Sequence, residues 1–136
     1  MTTTGGQGNL AAELRGITKR FGDLVANDAV DLALDKGEVH ALLGENGAGK
    51  TTLMRILYGL TTADAGTIAV DDEPVTIHAP RDASAAGIGM VTQHFSRVQP
   101  MSVTENVILG RASGARLDLE AARRSVEEAA DRFGIA

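Results

Sequence analysis

Val30, Leu32 and Leu34 alternate with Asp31 and Ala33, and this period of two predicts a strand with one buried face, closed by the turn Lys36-Gly37. An earlier strand is predicted over Glu13 to Thr18. From Val39 to Leu43 the run is nearly continuously apolar, which suits a central strand covered on both faces, and it leads straight into Gly44. Thr51 to Tyr58 places Leu53, Ile56 and Leu57 at helical spacing, with Gly59 where a left-handed cap is wanted. Gly66 to Asp71 and Val75 to Ile77 read as an antiparallel hairpin around the turn Asp72-Glu73-Pro74. Asp72-Glu73 stands where Asp-Gly would more easily supply positive φ, so a longer turn is expected there. Pro80 opens a short helix ending at Gly87, before a strand over Ile88 to Val91. Ser102 and Glu105 form a capping box for a helix reaching Leu109. Asp118 caps a longer helix with Leu119, Ala122, Val126, Ala129 and Phe133 on one face, and with Glu120/Arg124 and Glu128/Arg132 as i,i+4 pairs on the other.

Composition bounds the class. The 136 residues are 43% hydrophobic and 23% charged, ordinary for a globular domain or part of one. Net charge is -5 and no Lys/Arg stripe is present, which argues against direct nucleic-acid binding. With no cysteine there is no disulfide framework or thiolate metal site, and His40, His78 and His94 lie in separate segments without ligand-pair spacing. Met1 to Asn9 is Thr and Gly rich, without the features of a secretory signal. It is read as a disordered cytoplasmic tail, extending over residues 1–13. No stretch approaches the roughly 18 apolar residues of a membrane span.

The chemistry concentrates in Gly44-Glu45-Asn46-Gly47-Ala48-Gly49-Lys50-Thr51, a strand, glycine loop, Lys-Thr and helix in the order of a phosphate-binding loop. Residue usage alone would produce the pattern in about one chain in two hundred. The strand before it and the helix after it make a bare glycine turn the weaker reading. Backbone amides can surround several phosphate oxygens only where side chains do not intervene, hence Gly44, Gly47 and Gly49. Lys50 can reach the β and γ phosphates, Thr51 can place its hydroxyl on Mg²⁺, and the helix dipole adds favourable potential. A nucleoside triphosphate, ATP above all, is the expected ligand, with Mg²⁺ as the metal.

A phosphate loop leaves several NTPase classes open, and the flanking residues narrow them. Leu14-Arg15-Gly16-Ile17-Thr18-Lys19-Arg20-Phe21-Gly22 and the run from Gly37 to Met54 resemble the start of the nucleotide-binding domain of ABC transporters. Gly66-Thr67-Ile68 resembles that family's β-subdomain hairpin. Val91-Thr92-Gln93 is similar to its Q-loop, and Ser102 to Val107 to the segment after it. Within the family, the loop together with Gly87 to Val91 and Gln93-His94-Phe95 is most similar to ATPases of sugar and nucleoside importers.

The resemblance implies an α/β fold: a P-loop NTPase core with an antiparallel β-subdomain, incomplete because the chain ends inside the helical subdomain, with residues 14–136 forming the N-terminal portion of the ATP-binding domain. The signature motif, the Walker B aspartate with its neighbouring glutamate, and the switch histidine are expected outside these residues, which leaves enzymatic turnover of the chain open. By resemblance Phe21 stacks on adenine, with a core phenylalanine as its alternative. Gly44, Glu45, Asn46, Gly47, Ala48, Gly49, Lys50, Thr51 and Thr52 hold the nucleotide, Thr52 at the α phosphate. Gln93 touches Mg²⁺ and the attacking water, with an ordinary loop residue as its alternative. Lys50 and Gln93 are the catalytic candidates, Thr51 and Gln93 the metal candidates, and His94 has no catalytic role.

The implied partners are a transmembrane permease and a second ATPase domain, at the cytoplasmic face of the membrane. The permease contact is expected near Gln93 to Met101, where Phe95, Val98 and Met101 are either interface or local core. The competing readings are a soluble ABC-type ATPase without a permease, a nucleotide-binding module without turnover, and a small-molecule kinase, which the Val91-Thr92-Gln93 segment fits poorly.

Overall fold

The structure, a computed structural model, describes residues 10–92, 98–109 and 118–135. The chain divides into two compact units, with the boundary between Val91 and Thr92.

The first unit is built on a four-stranded antiparallel sheet. Its strands are β1 (Leu10–Phe21), β2 (Leu24–Asp35), β3 (Ala65–Val70) and β4 (Glu73–Val75), in the order β2-β1-β3-β4. Residues 10–13, expected in the tail, are the first rungs of β1. Leu14 faces Leu32 on β2 and Ile68 on β3, so three apolar side chains lie abreast across the sheet. Leu14 and Ile17 are both fully buried although three residues apart, which a flat strand forbids. The pairing shifts between them: Gly16 turns to φ +60, and its N–H donates to Asp31 Oδ1 at 2.7 Å. This bulge returns Ile17 to the core face.

Helix α1 (Lys50–Leu57) lays Leu53, Ile56 and Leu57 against that face, and with Leu14, Ile17 and Leu32 they form the buried core. Each such side chain contributes roughly 1.5 to 3 kcal/mol. α1 stops at Tyr58, and Gly59 takes φ +77 as anticipated. Helix α2 (Pro80–Ala85) has Pro80 in its first turn and Asp82 Oδ2 accepting from the His78 and Ala79 amides. It ends before Gly87, also at positive φ.

Further expectations need correction. Val39 to Leu43 forms no strand, and Val39 and Leu43 are 98% and 88% exposed. A buried parallel strand exists only through neighbours that satisfy its backbone, and the sheet among the described residues is wholly antiparallel and built elsewhere. Ile88 to Val91 is likewise irregular, with Ile88 half-buried against the core. The β3–β4 turn is tight rather than long: Val70 pairs with Glu73, and Asp71 and Asp72 alone cross over with φ +51 and +64, so β4 takes in Glu73 and Pro74 and ends at Val75 instead of running from Val75 to Ile77. The twist of the two strands sets that geometry and overrides the residues' preference.

The second unit contains α3 (Val103–Ile108) and α4 (Leu119–Phe133), packed against each other. The capping box forms as expected: Ser102 N–H donates to Glu105 Oε2 at 2.7 Å, and Glu105 N–H to Ser102 Oγ at 3.3 Å. Asp118 Oδ1 caps α4 through the Ala121 amide, and Gly134 ends it at φ +63. On α4, Ala122 and Val126 are half-buried but Leu119, Ala129 and Phe133 are exposed. The Glu120/Arg124 pair is stretched to 3.9 Å and Arg123/Glu127 closes at 2.8 Å. Arg132 lies over the Phe133 ring, 5.6 Å from its centroid, instead of pairing with Glu128. No helix among the described residues is long and apolar enough to cross a membrane.

Candidate phosphate-binding site

The loop between the exposed 39–43 segment and α1 lies in the first unit. Gly44 to Ala48 are all exposed, and the Ala48 N–H closes a turn onto the Glu45 carbonyl at 3.2 Å. Gly47 and Gly49 take φ +88 and +81, the left-handed region that side chains disfavour. Gly44 is under no such constraint: a Cβ there would make ordinary van der Waals contact with Ala48 Cβ at 3.4 Å and Lys50 Nζ at 3.8 Å. Gly49 is the N-cap residue of α1, and its carbonyl accepts the first helical bond, from Leu53 N–H at 2.9 Å. The amides of the first turn therefore have no intrahelical acceptor, and no acidic side chain occupies that turn.

Lys50 folds back into the loop. Its ammonium donates to the Gly44 carbonyl at 2.6 Å and the Glu45 carbonyl at 2.7 Å. A positive charge, a helix N-terminus and a glycine-rich loop thus meet at one exposed place, the combination that suits multiply charged oxyanions. Thr51 is exposed on the first turn and Thr52 is half-buried.

Asn27, which sequence reasoning missed, sits beneath this loop. It is 5% exposed, and its Nδ2 donates to the Gly49 carbonyl at 3.3 Å. The only signal for it was an Asn, disfavoured in strands, inside an otherwise ordinary strand pattern.

Phe21 closes β1 at the hairpin turn and is 50% exposed, so it is not a core residue. Lys19 Nζ lies 5.5 Å from its ring centroid and pairs with Asp64 Oδ1 at 2.8 Å. Asp64 Oδ2 also accepts from the Arg20 amide at 2.7 Å. The Lys19 ammonium, then the Arg20 N–H, hold the Asp64 carboxyl below its ordinary range. Upstream of the loop, His40 Nδ1 meets Glu38 Oε1 at 2.8 Å. The Asp35 N–H and then His40 lower the Glu38 pKa. Asp71 pairs with Lys36 at 2.9 Å in the β3–β4 turn. Among the described residues, no cluster of His, Cys, Asp or Glu could hold a metal by itself.

Gln93, His94, Phe95 and Ser96 lie outside the described residues. Of the neighbouring apolar residues, Val98 is 42% exposed and Met101 half-buried. The Asn106 side chain organises that stretch, accepting from the Val98 amide at 2.8 Å and donating to the Val98, Met101 and Ser102 carbonyls.

Comparison with known proteins accords with this geometry. A family model described as ABC transporter matches residues 27–136. The chain is 52% identical over 121 residues to the nucleoside import ATP-binding protein NupA of Lactococcus lactis, covering 88% of this chain and 24% of that protein. It is 47% identical over 125 residues to the guanosine import ATP-binding protein NupO of Bacillus subtilis, covering 90% and 24%. To the ribose import ATP-binding protein RbsA 1 of Burkholderia thailandensis it is 50% identical over 120 residues, covering 88% and 24%. The chain thus spans about a quarter of the length of these relatives. Among solved structures, a nucleotide-free ATP-binding cassette from an ABC transporter superposes with a TM-score of 0.67 at 30% identity, over 82% of this chain and 44% of that one. The cbiO1 protein from Clostridium perfringens, part of the ABC transporter complex cbiONQ, gives 0.66 at 27% identity, over 93% and 51%.

Proposed function

The chain belongs to the ABC transporter family, and on that premise we propose that it is the ATP-binding part of an importer whose cargo is a sugar or a nucleoside. The observation that carries the reading is the Lys50 ammonium drawn into its own loop by the Gly44 and Glu45 carbonyls, at the mouth of α1. Those two acceptors occupy the ammonium, and phosphate oxygens, being charged, are stronger acceptors than either. On binding, Lys50 exchanges the carbonyls for the β and γ phosphates, while the amides of Gly47 to Thr52 take the remaining oxygens. Glu45, Asn46 and Ala48 contribute backbone to that cradle.

Mg²⁺, when bound, would neutralise phosphate charge and hold its oxygens in place. The residues proposed to hold it, beside the phosphates it arrives with, are Thr51 through its hydroxyl and Gln93. Phe21 is proposed as the adenine platform; its half-exposed ring, with the Lys19 ammonium 5.5 Å from its centroid, supports that reading. The partners proposed from the relatives are a transmembrane permease, contacted through the Gln93 to Met101 segment, and a second ATPase domain. The location is the cytoplasmic face of the membrane.

The test is titration of the chain with a fluorescent ATP analogue, beside Lys50→Ala. Loss of a charged hydrogen bond costs about 1.5 to 3 kcal/mol, so ATP binding is expected to weaken about tenfold or more. Equal affinity of the two chains would remove Lys50, and the site with it, from the proposal.

A further inference from the structure

We propose that Asn27 is a positioning residue for the phosphate site: its amide holds the Gly49 carbonyl, and so keeps the last loop residue in the conformation that aims the first amides of α1 at phosphate. This rests on the nucleotide-binding reading above. Gly49 stands at φ +81, and a Cβ there would collide with the Ala26 carbonyl oxygen and the Asn27 amide. The backbone and side chain of β2 are therefore the wall against which the loop ends. The bond from Nδ2 to the Gly49 carbonyl, at 3.3 Å, fixes which way that wall faces. Turned over, the Asn27 amide would set oxygen against oxygen, so its orientation is dictated by Gly49.

The second observation is what Asn27 leaves unsatisfied. Its Oδ1 is buried, with no hydrogen-bond partner among the described residues. An orphaned buried acceptor opposes folding, and an apolar residue of the same size would remove that penalty. The Gly49 carbonyl does not need Asn27 either, because Leu53 N–H already bonds it at 2.9 Å. Leucine at this position would therefore serve the fold as well or better. A polar side chain that the fold does not need, placed against the residue that sets the loop's exit, serves the site.

The experiment compares the full chain with Asn27→Leu and Asn27→Ala, each titrated with Mg-ATP, ADP and adenosine, with thermal unfolding measured alongside. ATP and ADP binding are expected to weaken about tenfold, one hydrogen bond's worth of ordering. Adenosine binding, which does not use the loop, should be unchanged, and Asn27→Leu should unfold at the same or a higher temperature. Unchanged ATP affinity in both variants would overturn the inference. So would an equal loss for all three ligands, or failure of both variants to fold, since either makes Asn27 a residue of the fold alone. A parent chain that binds no ATP overturns the functional reading and this inference together. A parent that binds while the variants match it overturns only the inference.

Discussion

The geometry of the candidate site is decided at single residues, and Gly49 is the most constrained of them. Gly49→Ala must hold an alanine at φ +81, which costs about 1 to 2 kcal/mol, and must also push its methyl into the Ala26 carbonyl and the Asn27 amide. Loss of ATP binding and a lower urea midpoint are expected together. Gly47→Ala, strained at φ +88 but with open space around its Cβ, should lose less of either. Phe21 separates affinity from stability, because its ring is half-exposed. Phe21→Ala should weaken ATP by the roughly 1 kcal/mol of a lost aromatic stack, whereas Phe21→Tyr should retain it, and both should melt with the parent. A matching loss in Phe21→Tyr would show that the ring does not stack. The glycines of the loop are legible in the sequence because their spacing is local. Asn27 is not, because its meaning lies in the carbonyl of Gly49, brought to it only by the packing of α1 on β2.

Strands and turns carry the next set of consequences. Asp64, at the entry to β3, fastens the end of β1 through Lys19 and the Arg20 amide. Its folded pKa is lowered, by Lys19 first and the Arg20 N–H second. The contribution is therefore fully present above the unfolded aspartate value of about 3.9, and it is lost as pH falls through the lower folded value. Thermal melts of the parent and Asp64→Asn should differ at pH 7 and converge as pH drops through that window. A difference that persists in strong acid would assign the effect to shape rather than charge. In the β3–β4 turn, Asp72 bears φ +64 without glycine's freedom. Asp72→Gly should raise stability by about 1 kcal/mol in urea unfolding, while Asp71 is left to its pair with Lys36. The Ser102/Glu105 capping box, the Gly59 helix end and the Val30-Leu32-Leu34 alternation of β2 were legible because each depends on neighbours within a few residues. The bulge at Gly16 was not, since it takes the Asp31 carboxylate across the sheet to close it. The same holds for the tight Asp71-Asp72 turn, which the pairing of β3 with β4 imposes.

For the molecule as a whole, binding and hydrolysis of ATP are separate expectations. The carboxylates that the sequence sets beside the phosphate loop or at the end of an apolar strand are Glu45 and Asp71. Glu45 sits where phosphate charge would repel it, and Asp71 is engaged by Lys36. Neither is proposed as the group that orients a water for attack on phosphorus. The chain is accordingly expected to hold ATP without useful hydrolysis. Phosphate release from Mg-ATP should match the Lys50→Ala background, and turnover on the order of one per second would reveal a catalytic group that the reading lacks. Family and loop were legible in the sequence at this scale, but the state of Val39 to Leu43 was not, because a strand is a property of its neighbours as much as of its residues. That segment, apolar and nearly fully exposed at Val39 and Leu43, lies outside the sheet of the described residues and is open to any extended peptide that meets it. The practical outcome is colloidal: concentrated solutions should develop thioflavin-positive aggregates after a lag that shortens with concentration, and a lysine in place of Val39 should act as a gatekeeper and prolong it.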